Sequence, residues 1–228
     1  STGNEISEKI NIPKWKVRNS NSHYIESLSK NSFFKFVNGG ILRDKHEKLF
    51  KKLVKKNLNK KSDIIITNGA ISAGKFDFVP NVIKKFNLSN YFKGVAMRPG
   101  KPIMFAKFKN KNQSFFGLPG NPVSVMITFY QFVEPALRKL AGAKQIQPFE
   151  IKARAKENLK KRPGRTEFQR GILSIGTDGR LEVASTGDQG SGILHSMAVA
   201  DCFIVLPLES GSVEKGSEVT IQLLSNLT

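Results

Sequence analysis

Apolar positions change from a continuous run to a helical period between residues 113 and 140, and this stretch organises the chain. Residues 113–118 are apolar and aromatic enough for an interior strand. Pro119 and Pro122 end that strand because proline cannot donate to a ladder. Asn121 is a favoured helix N-cap and Pro122 fits the first helical position. Apolar residues then recur at helical spacing and predict a face that packs on a sheet: Val123, Met126, Ile127, Tyr130, Val133 and Leu137.

The loop in this stretch, Pro119-Gly120-Asn121-Pro122, is the first candidate site. A strand, a glycine-containing loop and a helix N-terminus together aim free backbone N–H groups at one point, which suits a phosphate or another oxyanion. A plain strand-to-helix connection explains the same pattern. The pattern alone therefore leaves a ligand site and a simple connection both open.

The chain before this stretch mixes predicted helices and strands. Residues 63–67, DIIIT, predict a buried strand, and shorter strands are predicted at residues 34–41, 92–97 and 103–108. Helical patterns cover residues 19–36, a lysine-rich stretch that Asp44 caps, and residues 78–86. This alternation predicts an α/β domain over residues 1–145.

After Leu140 the helical period disappears. Five strands are predicted, at residues 149–159, 166–175, 180–186, 202–208 and 217–224. Asp178-Gly179 lies between two of them and is a strong hairpin signal. The pattern predicts a small all-β domain over residues 146–228.

The large positive net charge of the chain does not by itself identify a partner. The 228 residues include 37 Lys and Arg against 18 Asp and Glu, a formal charge of +19, which favours nucleic acid, an anionic membrane or a polyanionic small ligand. Neither an aromatic RNA-binding signature nor zinc-finger spacing accompanies the lysines, so we expect no dedicated nucleic-acid binding. No apolar run has the length of a membrane span, so we expect a cytoplasmic protein without a membrane partner. Cys202, the single cysteine, is predicted to be a buried hydrophobe.

Three further loops carry candidate chemistry. The segment after DIIIT contains Gly69, Ser72, Gly74 and Asp77, at the carboxyl end of a strand, where ligands collect in α/β folds. The turn with Arg98 and Lys101 places two cations around prolines, either to hold an oxyanion or as a solvated turn. Residues 186–192 are too glycine-rich for a strand and predict a ligand-facing loop. We expect the loops at residues 69–77, 98–102 and 119–122 to open at one edge of one sheet.

Seven ordered motifs give the chain a family resemblance. They are TGNE, GAISAGKFD, MRPGKP, GLPGNPVS, RTEFQRG, GDQGSG followed by HSMAVADC, and G-x-V-x-x-G-S-x-V. In this order they resemble the molybdopterin molybdenumtransferase family, which includes MoeA and the E domain of gephyrin. The resemblance covers that family's third and fourth domains, so we expect the sequence to begin inside a longer polypeptide.

The resemblance implies a fold and an activity. The fold is a three-layer α/β/α domain like that of the molybdopterin adenylyltransferases, followed by a small β-barrel. The activity is insertion of molybdate into adenylylated molybdopterin with release of AMP, assisted by Mg²⁺, in a homodimer. A non-catalytic scaffold or protein-binding module on the same fold is the alternative.

The resemblance also implies roles for individual residues. It places catalytic groups at Glu5, Asp44, Asp77, Pro119 and Pro122, with the three acids as Mg²⁺ ligands. It places molybdate or substrate binding at Arg98, Lys101, Arg170 and Ser191, and the loop patterns add Gly69, Ser72, Gly74, Gly120 and Asn121. Lys45, Ala70 and Lys75 depart from the family pattern, and the two lysines add positive charge beside the proposed carboxylates. Because the resemblance places further catalytic residues in domains outside this sequence, we expect the chain alone to bind substrate but to be a poor enzyme.

Overall fold

The computed structural model describes residues 1–29, 33–42, 51, 55, 62–69, 88–109 and 112–224, and the statements below refer to these residues. Twelve strands are described: β1 Ile6–Ser7, β2 Val17–Arg18, β3 Ile64–Asn68, β4 Leu88–Lys93, β5 Met97–Arg98, β6 Met104–Phe108, β7 Ser114–Leu118, β8 Glu150–Ala155, β9 Thr166–Ile175, β10 Leu181–Ser185, β11 Cys202–Leu206 and β12 Glu218–Leu223. The α-helices are α1 Ser20–Ser29, α2 Pro122–Thr128, α3 Glu134–Leu140 and α4 His195–Ala198, and a π-helical segment, Phe129–Val133, joins α2 to α3.

The chain folds into two compact units. The first unit contains Ser1–Val95 and Pro102–Phe129, and the second contains Ala96–Lys101 and Tyr130–Thr228. The first is an α/β domain and the second a closed five-stranded β-barrel, which confirms the predicted fold class. The division predicted between residues 145 and 146 stays a prediction.

The sheet of the first unit has the strand order β3-β7-β6-β4. β3 and β7 are parallel, whereas β6 is antiparallel to both β7 and β4. Strands β3, β7 and β4 therefore run in one direction and end at the same edge of the sheet. The strands predicted at DIIIT and residues 113–118 are confirmed as β3 and β7. Phe115, Phe116 and Leu118 of β7 are buried as predicted. The prediction of a buried strand at DIIIT is wrong for its isoleucines, which are half-buried because β3 stands at one end of the described strand order.

The helical run begins where the sequence predicts. Asn121 occupies the N-cap position with extended backbone, and Pro122 is the first residue of α2. Every predicted face residue from Val123 to Val133 is buried, and Leu137 is half-buried. Pro135 lies in the first turn of α3 and cannot donate to the carbonyl of Gln131, which interrupts the regular ladder at the π-helical segment.

The barrel closes because β9 pairs with both β10 and β11. The ring order is β9-β10-β8-β12-β11, and β5 adds to β9 in parallel. The predicted hairpin at Asp178-Gly179 is confirmed, with Gly179 at φ +77°. Val183, Cys202, Ile204 and Ile221 are fully buried in the barrel core, which confirms the prediction for the cysteine.

Four local predictions differ from the structure or lie outside its described part. Residues 34–41 form no strand, and Leu42 makes only an isolated bridge to Thr2. The strand predicted at residues 92–97 is instead β4, which ends at Lys93, followed by the separate β5. The helix predicted at residues 78–86 and most of the one that Asp44 would cap lie outside the described residues. No helix among the described residues is long and apolar enough to cross a bilayer.

Candidate functional site

The carboxyl ends of β3 and β7 meet at Gly69. Its backbone N–H donates to the carbonyls of Leu118 at 3.0 Å and Pro119 at 3.3 Å. Gly69 has φ +81°, and a Cβ there would lie 2.7 Å from both the carbonyl oxygen and Oγ1 of Thr2. Glycine is therefore required at this position by backbone conformation and by space. The Cα of Gly69 also lies 3.5 Å from where a Cβ of Gly120 would stand, so the two glycine loops touch.

The first residues of the sequence pack against the same strand end. The backbone N–H of Thr2 donates to the carbonyl of Asn68 at 2.9 Å, and Oγ1 of Thr2 donates to the same oxygen at 2.8 Å. The side chain of Glu5 folds back over Gly3, where any Cβ would collide with its carboxylate. Glu5 is exposed and forms no ion pair with another described residue. Its carboxylate is thus held near the start of the chain without a cationic partner in the described part of the chain.

Asn21 joins helix α1 to both glycine loops. Its Nδ2 donates to the carbonyl of Gly120 at 2.9 Å and to Oδ1 of Asn68 at 3.3 Å. Sequence analysis missed this residue, although the polar run Asn19-Ser20-Asn21 at the start of an otherwise amphipathic helix was a signal. Its position makes α1 part of the candidate site.

Three side-chain oxygens near these strand ends are buried without a hydrogen-bond donor among the described residues. They are Oδ1 of Asn21, Oγ1 of Thr67 and Oδ1 of Asn121. Asn121 was predicted to cap α2, and it holds the cap position, but its side chain makes no capping bond. Native proteins pair most buried polar atoms, so these oxygens leave hydrogen-bonding capacity for a ligand or for water.

The second unit holds a buried cation, Arg170 of β9. Its guanidinium donates from Nε to Oγ of Ser196 at 2.9 Å. It also donates to three successive loop carbonyls, those of Gln189 at 3.1 Å, Asp188 at 3.2 Å and Gly190 at 3.1 Å. Arg170 is fully buried, and its guanidinium N–H groups form hydrogen bonds that hold the loop before α4. Burial lowers the pKa of Arg170 below its ordinary value, and the positive charge of Arg98 adds to this lowering.

The side chain of Gln189 completes this loop. Its Oε1 accepts the backbone N–H of Arg170 at 2.8 Å, and its Nε2 donates to the carbonyl of Arg170 at 3.2 Å. The side-chain amide thus bonds both backbone groups of Arg170, as the backbone of a neighbouring strand would. Ser191 lies two residues after Gln189 and is half-buried. The sequence predicted a ligand-facing loop here, and the structure places Arg170 beneath that loop.

Arg98 and Lys101 also belong to the second unit. Met97–Arg98 pair with Thr166–Glu167 as strands β5 and β9. Nη1 of Arg98 donates to Oε1 of Glu167 at 3.3 Å, and the Arg98 side chain is 59% exposed while that of Glu167 is 8% exposed. Lys101 is exposed. Arg98 therefore presents most of its donors to solvent.

The structure brings some predicted residues together and not others. Gly69 and the loop Pro119-Gly120-Asn121 are adjacent, with Glu5 three residues from Thr2. The chain leaves β4 and enters β6 at this same edge, but Ala96–Lys101 group with the second unit. Asp44, Ser72, Gly74 and Asp77 lie outside the described residues. Among the residues described, no three His, Cys, Asp or Glu side chains are arranged to hold a metal.

Comparison with known families gives two matches in chain order. Residues 1–139 match the family described as "Probable molybdopterin binding domain". Residues 152–224 match the "MoeA C-terminal region (domain IV)". The two matches correspond to the α/β part and the barrel.

Individual relatives agree with these matches. The chain is 38% identical to a molybdopterin molybdenumtransferase of Haemophilus influenzae, covering 100% of this chain and 55% of the relative. It is 31% identical to a protein of the same name from Nostoc, covering 97% of this chain and 51% of the relative. A crystal structure titled as the molybdopterin biosynthesis MoeA protein of Pyrococcus horikosii superimposes with a TM-score of 0.79 at 26% identity, over 97% of this chain and 52% of that one. The chain thus spans about half the length of the curated relatives it matches.

Proposed function

The chain belongs to the family of probable molybdopterin binding domains, and from that membership we propose that it acts in molybdenum cofactor biosynthesis. The proposed reaction is insertion of molybdate into adenylylated molybdopterin with release of AMP. The observation that carries the proposal is the conjunction of both domain matches with the relatives named as molybdenumtransferases. The scaffold alternative requires neither substrate binding nor AMP release, and the experiment below separates the two.

The first unit supplies two adjoining loops for the substrate. Gly69 leaves room for Thr2, and Gly120 leaves room for Gly69, so the loops at the ends of β3 and β7, where ligands collect in α/β folds, pack closely together. The unpaired side-chain oxygens of Asn21 and Asn121 supply hydrogen-bond acceptors at the same loops. These features favour a polar heterocyclic ligand, because they fix orientation through hydrogen bonds rather than charge.

The second unit supplies positive charge for oxyanions. Arg98 and Lys101 are exposed cations. Such side chains suit the neutralisation of molybdate or of the molybdopterin phosphate from which AMP is released. Arg170 spends its donors on the loop that precedes Ser191, so we assign it the positioning of that loop. Pro119 and Pro122 stiffen the substrate loop of the first unit.

We extend the proposal to Mg²⁺, held by Glu5, Asp44 and Asp77. Hard carboxylate oxygens suit this ion, which retains several waters. Of the three acids the structure describes Glu5. Its exposed carboxylate has no ion-pair partner among the residues described, which fits this role. When bound, the ion would neutralise charge on phosphate oxygens. We also propose a cytoplasmic homodimer, as the resemblance implies.

The test is calorimetric titration of the 228-residue chain with adenylylated molybdopterin and with molybdate, followed by an assay of AMP release. We expect saturable binding of the adenylylated substrate and slow AMP release, because the relatives are about twice as long and positioning catalysis depends on a complete site. Absence of substrate binding would remove the proposed function. Binding without any AMP release, even with molybdate and Mg²⁺, would favour the scaffold.

A further inference from the structure

Two buried asparagines near the start of α1 differ in how their amides are used. Asn19 is 4% exposed; its Oδ1 accepts the hydroxyl of Ser1 at 2.7 Å, and its Nδ2 donates to Oε1 of Glu8. Asn21 is 7% exposed, and its Nδ2 donates to the carbonyl of Gly120 and to Oδ1 of Asn68. Its Oδ1 has no donor among the described residues. Both amide groups of Asn19 thus have hydrogen-bond partners within the protein, whereas for Asn21 only Nδ2 has partners among the described residues.

The orientation of the Asn21 amide is fixed by its partner. The carbonyl oxygen of Gly120 can only accept, so the atom that faces it at 2.9 Å must be the donor Nδ2. Turning the amide over would place Oδ1 against that carbonyl and leave two acceptors in contact. Oδ1 therefore points away from Gly120 as an acceptor without a donor.

A second acceptor of the same kind lies one residue beyond Gly120. Oδ1 of Asn121 is buried and has no donor among the described residues, because the side chain does not cap α2. A buried acceptor without a donor lowers stability, and two of them around one loop offer a bound ligand two places for its donors. Neutral oxygens attract an N–H group and repel a phosphate or a molybdate oxygen.

We propose that Asn21 is a substrate-contacting residue as well as the positioning residue of the Gly120 loop. Its Nδ2 holds the carbonyl of Gly120, and its Oδ1 accepts an N–H of the heterocycle of the substrate, together with Oδ1 of Asn121. This inference rests on the proposed function, because it names the part of that substrate which the first unit binds. The shared chemistry is an exocyclic amino donor, which both a pterin and an adenine carry.

The decisive variant is Asn21→Leu, matched by Asn19→Leu at the residue that precedes the same helix. Adenylylated molybdopterin is titrated into the parent chain and both variants, with thermal unfolding followed in parallel. We expect Asn21→Leu to weaken substrate binding at least tenfold and to change molybdate binding less than twofold. Asn19→Leu should lower the unfolding temperature while the folded protein keeps parental substrate affinity. Equal substrate affinity of the parent and Asn21→Leu would overturn the inference while leaving the proposed function intact, whereas failure of the parent to bind would remove the proposed function itself.

Two simpler probes identify which heterocycle meets Asn21. Loss of 6-hydroxymethylpterin binding in Asn21→Leu with unchanged AMP binding assigns the pterin, and the reverse assigns the adenine. Unchanged binding of both probes overturns the hydrogen-bond assignment.

A third measurement needs no variant and so remains decisive if Asn21→Leu does not fold. If the pterin is the donor, the parent chain should bind 6-hydroxymethyllumazine, in which a carbonyl replaces the 2-amino group, several-fold more weakly than the pterin. If adenine is the donor, inosine monophosphate should bind more weakly than AMP for the same reason. Parental affinity for both altered probes would overturn the inference.

Discussion

The loop over Arg170 and the loops around Gly69 and Gly120 both bury polar groups, but they use them in opposite ways. In the second unit the guanidinium of Arg170 binds three loop carbonyls and the hydroxyl of Ser196. In the first unit Asn21 and Asn121 each retain a buried oxygen that accepts from no donor in the described part of the chain. A buried group that is satisfied inside the chain stabilises the fold, whereas one that is unsatisfied is available to a ligand.

The comparison also separates the two arginines of the second unit. Arg170 is fully buried and bonded, while the side chain of Arg98 is 59% exposed and makes one bond to Glu167. The resemblance assigns both to substrate or molybdate binding. Their environments instead favour a structural role for Arg170, which holds the loop at residues 186–192, and direct ligand contact for Arg98.

The largest expected effect follows from replacing the buried arginine. Arg170→Met removes the guanidinium donors from the carbonyls of Asp188, Gln189 and Gly190, of which only Gly190 keeps another donor among the described residues, the N–H of Ile193. We expect a loss of about 3 to 4 kcal/mol in the free energy of unfolding. Urea denaturation measures it. The matched variant Arg98→Met removes an exposed, singly bonded arginine and should cost less than about 1 kcal/mol. Similar losses in both variants would contradict the separation of the two arginines.

A smaller loss is expected at the glycine where β3 and β7 meet. Gly69→Ala must hold φ +81° and collide with Thr2, so we expect about 2 to 3 kcal/mol of destabilisation. Gly179→Ala is its control, because Gly179 has a similar φ of +77° but open space around its Cα. Left-handed conformation alone should cost that control about 1 kcal/mol. If the two variants unfolded at the same urea concentration, contact between Thr2 and Gly69 would contribute nothing.

The third expected effect is on binding rather than on folding. Arg98→Ala should weaken molybdate binding by about 1.5 to 3 kcal/mol, roughly tenfold to more than a hundredfold, because a charged hydrogen bond is lost. The control is Arg180→Ala in the β9–β10 hairpin, whose side chain is 76% exposed and which should bind molybdate as the parent does. Calorimetry measures both. Parental affinity in Arg98→Ala would assign the exposed arginine to a solvated turn.

The last expected effect is the pH dependence of stability that Cys202 causes, which is negligible at neutral pH. No ligand is expected to contact this residue. Burial raises the pKa of its thiol to about 12 from the model-compound value of 9.0, so the folded protein holds the protonated form. Above pH 9 the unfolded chain loses this proton and the folded chain does not, so stability falls as pH rises toward 12. The slope is at most about 1.4 kcal/mol per pH unit and is absent below pH 9.

Two measurements check this behaviour. A thiol reagent at pH 8 should label Cys202 only after denaturant unfolds the barrel, because the thiol is fully buried. The stability difference between the parent and Cys202→Ala should shrink between pH 9 and pH 11. Rapid labelling of the folded protein would mean that the thiol is accessible and that the barrel core opens.

Local signals in the sequence determined most of the regular structure. The strands of the barrel, the Asp178-Gly179 hairpin and the start of α2 at Pro122 follow from alternation, turn chemistry and proline, which act over a few residues. The glycine requirement at Gly69 was only half visible, because the sequence predicted a turn there but the obstacle is Thr2, far away along the chain. The prediction of a strand at residues 34–41 was wrong. Their apolar content is typical of a strand, but they pair with no strand in the described part of the chain.

Tertiary structure decided which polar residues are available for chemistry. Arg170 and Arg98 carry the same side chain, and contacts with residues 18 to 26 positions away along the chain distinguish the satisfied arginine from the exposed one. Asn21 meets Gly120 across 99 residues of sequence, so no local pattern could join them. Hydrogen-bond satisfaction depends on which distant donors and acceptors the fold brings within about 3 Å, and that property belongs to the packed structure rather than to any segment.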